Sequence, residues 1–254
     1  MKTQLIINFI NAKCIKLKNA DSVVLDSGSF ATVFVADNYS GCVFKMTAFD
    51  NVRDHLIRLS PKEGDAVAGI AEMSINEKNN SVQYKLLKFF PTGKVDPSMR
   101  SDFSLSFNNL EIDKKDIGKL TEITYKDDAG EMVTRKTVSF KLRYLGTNAK
   151  IQFKAYDYGK KMLASLISRQ NYIEGDVLDG FANLHFEKKK GDGGAEKIVK
   201  TYIVQMFSYG SHNANSKDEG KNEQIKAIEK QEKLNATNPF SGTEIPAGKA
   251  FCAM

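Results

Sequence analysis

The sequence predicts an all-β protein: two tandem five-stranded Greek-key barrels, each with one helix between its third and fourth strands, followed by a flexible C-terminal tail. Three observations lead there. Nine stretches alternate apolar with polar residues and are rich in Val, Thr, Phe and Tyr, only two internal stretches carry helical spacing, and one long motif occurs twice in the same order.

In chain order, strands are expected at 4–10, 29–36, 42–49, 66–73 and 82–90, and again at 137–144, 150–156, 177–186 and 198–207. Turn-forming clusters separate them, at Asp37 to Gly41, Asn79 to Ser81, Asp127 to Gly130, Gly146 to Asn148 and Gly191 to Gly194. A helix over 51–59 puts Val52, Leu56 and Leu59 on one face, and a second over 159–168 does the same with Met162, Leu163 and Leu166. The stretch 111–131 alternates Asp and Glu with Lys and reads as a solvated strand and hairpin. Beyond Gly210 the chain turns to Ser, Asn, Lys, Glu and Gln, a composition that predicts a flexible tail with one short helix over 219–234.

The repeat sets the architecture. Ala48-Phe49-Asp50, then Leu56 and Leu59, then Glu63-Gly64-Asp65 and Gly69-Ile70-Ala71, recur as Ala155-Tyr156-Asp157, Leu163 and Leu166, Glu174-Gly175-Asp176 and Gly180-Phe181-Ala182. The offset is 107 residues through the helix and 111 after it, so a four-residue insertion falls in the loop near Arg169 to Tyr172. Each unit runs strand, strand, strand, helix, Gly-Asp turn, strand, hairpin, strand, which is the order of the OB-fold. The expected domains are 1–95 and 108–210, with a connector at 96–107 and the tail from 211 to 254.

Composition bounds the function. The chain has 254 residues, 41% hydrophobic and 27% charged, with a mean hydropathy of −0.38 and no apolar run near the roughly 18 residues that a membrane helix needs. No membrane association is expected. Cys14, Cys42 and Cys252 are too scattered for a disulfide framework or a metal site, which fits a reducing cytoplasm. The net charge of +6 is uneven: +3 over 1–95 (12 basic, 9 acidic), −3 over 96–135 (6 and 9), +6 over 136–210 (13 and 7) and zero in the tail (6 and 6). Two basic blocks suit a polyanionic partner.

The segments Val43 to Phe49 and Lys62 to Gly69, with their second occurrence between Ile151 and Gly180, resemble the single-stranded DNA-binding proteins of bacteria and phages. In that family a third strand ending in an apolar-aromatic pair runs into a helix, a Lys-Gly or Glu-Gly turn and a strand ending in Gly. The resemblance covers about 45 residues of each unit. It implies DNA coating in replication, recombination or repair, in a phage or mobile element, with replication or recombination proteins recruited through the tail. Two features depart from the pattern: the chain has no Trp, with Val43 where the family commonly has one, and the tail is charge-balanced where the family's is acidic.

Alternation also assigns faces without any alignment. In the first unit Ala31, Val33, Val35, Phe44, Met46 and Ala48 point to the core, while Phe30, Thr32, Phe34, Lys45, Thr47 and Phe49 point outward. In the second, Val138, Phe140, Leu142, Ile151, Phe153 and Ala155 are core, and Thr137, Ser139, Lys141, Arg143, Lys150, Gln152, Lys154 and Tyr156 face out. Rings stack on bases, at about 1–3 kcal/mol each, and cations neutralise phosphates, so the mixture suits single-stranded nucleic acid. The expected contact residues are Phe30, Phe34, Lys45, Phe49, Lys141, Arg143, Lys150, Lys154 and Tyr156, with Lys188, Lys189 and Lys190 on the finger between strands four and five of the second barrel.

No catalytic residue, cofactor or metal site is expected. His55, His185 and His212 stand far apart without ligand spacing, Asp50 and Asp157 sit where a helix needs an N-cap, and Asp65 and Asp176 belong to turns. The expected partner is single-stranded DNA and the chain is a monomer or homodimer. The alternatives are an RNA-binding OB protein, because stacking and phosphate contacts serve both polymers, and an OB protein-interaction scaffold or transcription regulator.

Overall fold

The computed structural model describes residues 3–76, 81–126, 129–144, 147–173, 175–190 and 196–211. The expected tail and its helix over 219–234 lie outside the described residues, as does the Gly191 to Gly194 turn. The first barrel consists of β1 (Gln4–Ile15), β2 (Val24–Asp26), β3 (Phe30–Ala36), β4 (Val43–Phe49), α1 (Asp50–Leu59), β5 (Asp65–Ile75) and β6 (Val82–Lys94). The second has β7 (Asp102–Ile117), β8 (Thr121–Lys126), β9 (Met132–Tyr144), β10 (Lys150–Tyr158), β11 (Lys161–Met162), α2 (Leu163–Arg169), β12 (Asp176–Lys190) and β13 (Glu196–Ser211).

Each barrel closes through five strands. In the first the circuit is β1–β3–β4–β6–β5–β1, antiparallel except for the parallel pair β4–β6. In the second it is β7–β9–β10–β13–β12–β7, parallel only at β10–β13. A helix bridges the third and fourth barrel strands in both, which is the OB topology. Closure requires the first strand to serve two neighbours. Asn11 and Asn109 provide the bend, each in the left-handed region (φ 53° and 55°) at a break in register with β5 or β12. Asn tolerates this conformation better than most residues.

The recurring glycines have a packing cause. A Cβ on Gly69 would lie 2.4 Å from the Phe9 ring and 2.5 Å from the Lys88 carbonyl oxygen. On Gly180 it would lie 2.6 Å from the Phe107 ring and 2.5 Å from the Met206 carbonyl oxygen. Each barrel thus presses a buried phenylalanine of its first strand against a glycine of its fourth. The Gly-Asp turns also repeat: Asp65 accepts from the Lys62 N–H (2.7 Å) and Asp176 from the Ile173 N–H (3.0 Å).

The barrels are joined through β1 and β7, which pair antiparallel with Ile7 opposite Leu105 and Phe9 opposite Phe103. Because Phe9 and Phe107 face equivalent glycines, Ile7 and Leu105 are equivalent too, and an approximate two-fold axis passes between them. Reciprocal bonds obey it. Thr3 Oγ1 donates to the Asn109 carbonyl (3.1 Å) and its counterpart Ser101 Oγ donates to the Asn11 carbonyl (2.9 Å). Across the junction Phe44 stacks on Phe103 at 4.6 Å, with Phe186 edge-on to both. Phe44 and Phe103 are fully buried, and each such burial contributes about 1.5–3 kcal/mol.

Four local expectations change. The second barrel's first strand opens at Asp102, inside the stretch read as a connector, because Phe103, Leu105 and Phe107 alternate into the core. The second helix starts at Leu163, four residues later than expected, since the chain first folds back at Gly159 and pairs Lys161 and Met162 with β10. Asp50 is not an N-cap: it is the first helical residue, at φ 48°, and its side chain makes no capping bond. Asp157 does cap, from beyond the turn, accepting from the Ser165 N–H (3.0 Å) and hydroxyl. Finally, Thr32 and Thr137, read as outward-facing, are buried. Thr32 lies between Leu25 and Thr47 in the sheet, and Thr137 donates to the Ala155 carbonyl (3.0 Å).

Candidate nucleic-acid interface

The register of β3 and β4 places the first face. Phe30 stands opposite Phe49, Thr32 opposite Thr47 and Phe34 opposite Lys45. The Phe30 and Phe49 rings lie 6.0 Å apart at 47°, and they remain 39% and 38% exposed; among the other described phenylalanines only Phe90, on β6, is as open to solvent. Lys85, on β6, holds its ammonium 5.8 Å from the Phe49 ring centroid. Lys85 was absent from the expected contact set. Its position follows from the parallel pairing of Thr47 with Lys85, a contact between residues far apart in the chain.

The second face is built by β9 and β10 in the same way. Lys141 stands opposite Gln152, Arg143 opposite Lys150, Ser139 opposite Lys154 and Thr137 opposite Tyr156. Two of its four cations are already neutralised: Arg143 pairs with Glu111, and the Lys150 ammonium lies 2.7 Å from both Asp116 carboxylate oxygens. Both carboxylates come from β7. Lys141 and Lys154 form no ion pair among the described residues.

This face holds more aromatic surface than Tyr156 alone. The Tyr156 ring sits edge-on to Tyr158 at 6.1 Å, and the Arg135 guanidinium lies 3.7 Å from the Tyr158 centroid and 5.3 Å from that of Tyr125. The signal for it was present in the sequence: the same alternation runs two residues further, from Tyr156 to Tyr158 and from Thr137 back to Arg135. Partial burial raises the Tyr156 and Tyr158 hydroxyls above their ordinary range, so neither adds negative charge at neutral pH.

The finger is only partly engaged. Lys189 pairs with Glu187 at 3.1 Å, and this hydrogen bond is the main reason the Glu187 carboxyl titrates below its usual range, with Lys154 and His185 contributing. Lys188 is exposed and lines a cleft of about 380 Å³ between the barrels, together with Tyr39 and Arg100, which stack at 4.7 Å. The Lys190 side chain lies outside the described residues.

A second inter-barrel cleft, of about 460 Å³, brings the two faces together. Lys45 and Val43 line it from β4, Lys150 and Gln152 from β10, and Lys200 from β13. The Lys200 ammonium lies 4.5 Å from the Phe44 centroid, a contact from the second barrel to the first. Burial pushes the Tyr202 hydroxyl up to about 12 and raises that of Tyr84 as well, so both tyrosines of the cleft stay uncharged. At about 3.3 Å per residue, Phe49 is about 13 Å along β4 from Lys45, and Tyr156 about 20 Å along β10 from Lys150. The cleft therefore joins the two faces end to end.

No protein-family model matches the chain, and no curated protein sequence matches it. Among solved structures, it is similar to a replication protein A heterotrimer bound to single-stranded DNA (13% identity, 93% of this chain and 52% of that one, TM-score 0.23). It is similar to the wild-type single-stranded DNA-binding protein of Thermus aquaticus (11% identity, 86% and 97% covered, TM-score 0.44) and to a deletion mutant of that protein (12%, 85% and 98%, TM-score 0.45).

Proposed function

We propose that the chain binds single-stranded DNA with little regard to sequence, coating it during replication, recombination or repair, and performs no catalysis. The observation that carries this reading is the exposed Phe30–Phe49 pair with Lys85 beside it, and Lys45 further along the same outer face of the first barrel. Interface cores between proteins are depleted of charge, so ammonium groups beside exposed rings favour a strand over a protein partner. The second face supplies Lys141, Lys154 and the Tyr125–Arg135–Tyr158 stack for the same task.

The test is a competition titration of labelled single-stranded DNA against duplex DNA and RNA of matched length. Single-stranded DNA is expected to win over the duplex, whose bases are unavailable for stacking. Preference for duplex refutes the reading, and preference for RNA reassigns it to an RNA-binding protein of the same fold.

A further inference from the structure

We propose that the 460 Å³ cleft on the approximate two-fold axis seats the nucleotide at which a bound strand passes from one barrel to the other, with its base against Val43 and Val82 of the first barrel and its phosphate against Lys200 of the second, assisted by Lys45. The proposal rests on the single-strand reading above and assigns a place within it.

The cleft is built from equivalent positions of the two barrels. Met46 pairs with Tyr84 where Phe153 pairs with Tyr202, which makes Tyr84 the counterpart of Tyr202 and, two residues earlier, Val82 the counterpart of Lys200. The offset of 107 in the third strands makes Val43 the counterpart of Lys150 and Lys45 that of Gln152. All eight residues line the cleft.

Elsewhere near the axis the two copies agree in chemistry: Thr3 with Ser101, Ile7 with Leu105, Phe9 with Phe107. In the cleft the tyrosines agree and the wall residues do not. The first barrel offers Val43 and Val82, 43% and 41% exposed, and the second offers Lys150 and Lys200 at the same positions. Packing does not require the difference, because all four are on the surface. Apart from Lys45 the first barrel's rim is apolar where the second barrel's is cationic, which matches a nucleotide, whose base and phosphate need opposite surroundings. The volume falls within the roughly 300–1,000 Å³ of small-ligand sites. Lys150 is held by Asp116, so Lys200, with Lys45 entering from the first barrel, is left to meet the phosphate.

The chain contains no Trp, so an introduced indole reports without background. Val82→Trp and Gln152→Trp place reporters in the cleft, and Phe30→Trp places one on the first face. Saturation with an oligothymidylate long enough to touch both barrels should quench all three. Lys200→Gln should make the slope of log affinity against log salt shallower by about 0.7, the value for one phosphate on a single strand. If Val82→Trp fails to fold, Gln152→Trp, at an exposed position, carries the reading. Quenching at Phe30→Trp with silent cleft reporters would overturn the proposal while leaving single-strand binding intact. Quenched cleft reporters with an unchanged Lys200→Gln slope would overturn the assignment of the phosphate. Absence of any anisotropy change when the unaltered chain meets labelled single-stranded DNA would instead reject the functional reading itself.

Discussion

Replacing Asp116 with Asn should strengthen single-strand binding. The Lys150 ammonium sits 2.7 Å from both Asp116 oxygens, with the two side chains 34% and 14% exposed, so the pair presents almost no net charge to a phosphate on the second face. Removing the carboxylate frees one cation and removes one like charge. A unit charge about 4 Å from a phosphate in water interacts by about 1 kcal/mol, and screening over a Debye length of about 8 Å reduces that to roughly 0.6 kcal/mol. The gain is about threefold in affinity, and the salt slope should steepen by about 0.7 as one more phosphate is neutralised. The fold should survive, since partly exposed ion pairs contribute about 0–1 kcal/mol. Anisotropy titrations of Asp116→Asn at several salt concentrations measure both quantities. A variant that binds more weakly, or with an unchanged slope, would refute the placement of the strand over Lys150. Glu111→Gln, which frees Arg143, is the independent repeat.

Three other outcomes are expected. Phe49→Ala and Phe30→Ala should each lose about 1–3 kcal/mol of binding with no change in salt slope, whereas Lys141→Ala and Lys154→Ala should each make the slope shallower by about 0.7; the same titrations separate the two roles. Gly69→Ala and Gly180→Ala should each destabilise by about 1.3 kcal/mol, because overpacking against a ring and a backbone carbonyl (about 1–3 kcal/mol) outweighs the loss of unfolded-state entropy (about 0.4–1 kcal/mol); calorimetry should find Tm lower by about 3–5 °C. Burial pushes Cys14 and Tyr202 up to about 12, above their unfolded values near 9 and 10, so the stability they contribute is complete below about pH 9 and lost as pH rises through 12; a Tm that stays flat from pH 9 to 11 would contradict it.

The repeat and the faces were legible because both depend on local periodicity. Phe30 and Phe49 fall on the same side of adjacent strands by alternation alone, and the β3–β4 register needed only a short turn to set it. The partners of the cations were not legible. Asp116 reaches Lys150 and Lys200 reaches Phe44 through barrel closure and through the β1–β7 seam, and neither leaves a periodic trace. A count of charges therefore overstated the second face, where Glu111 and Asp116 cancel two of four. Its aromatic content was understated for a simpler reason: the expected strands stop at Tyr156 and begin at Thr137, whereas β10 runs on to Tyr158 and β9 starts before Arg135.

The most direct test of the central claim is the salt dependence of the unaltered chain's affinity for single-stranded DNA. Lys45, Lys85, Lys141, Lys154 and Lys200 are the five cations placed to meet phosphates on the two faces and in the cleft. At about 0.7 per phosphate on a single strand, log affinity should fall against log salt with a slope of about −3.5. A slope near zero, or binding that persists unchanged at high salt, would contradict an interface built from these lysines.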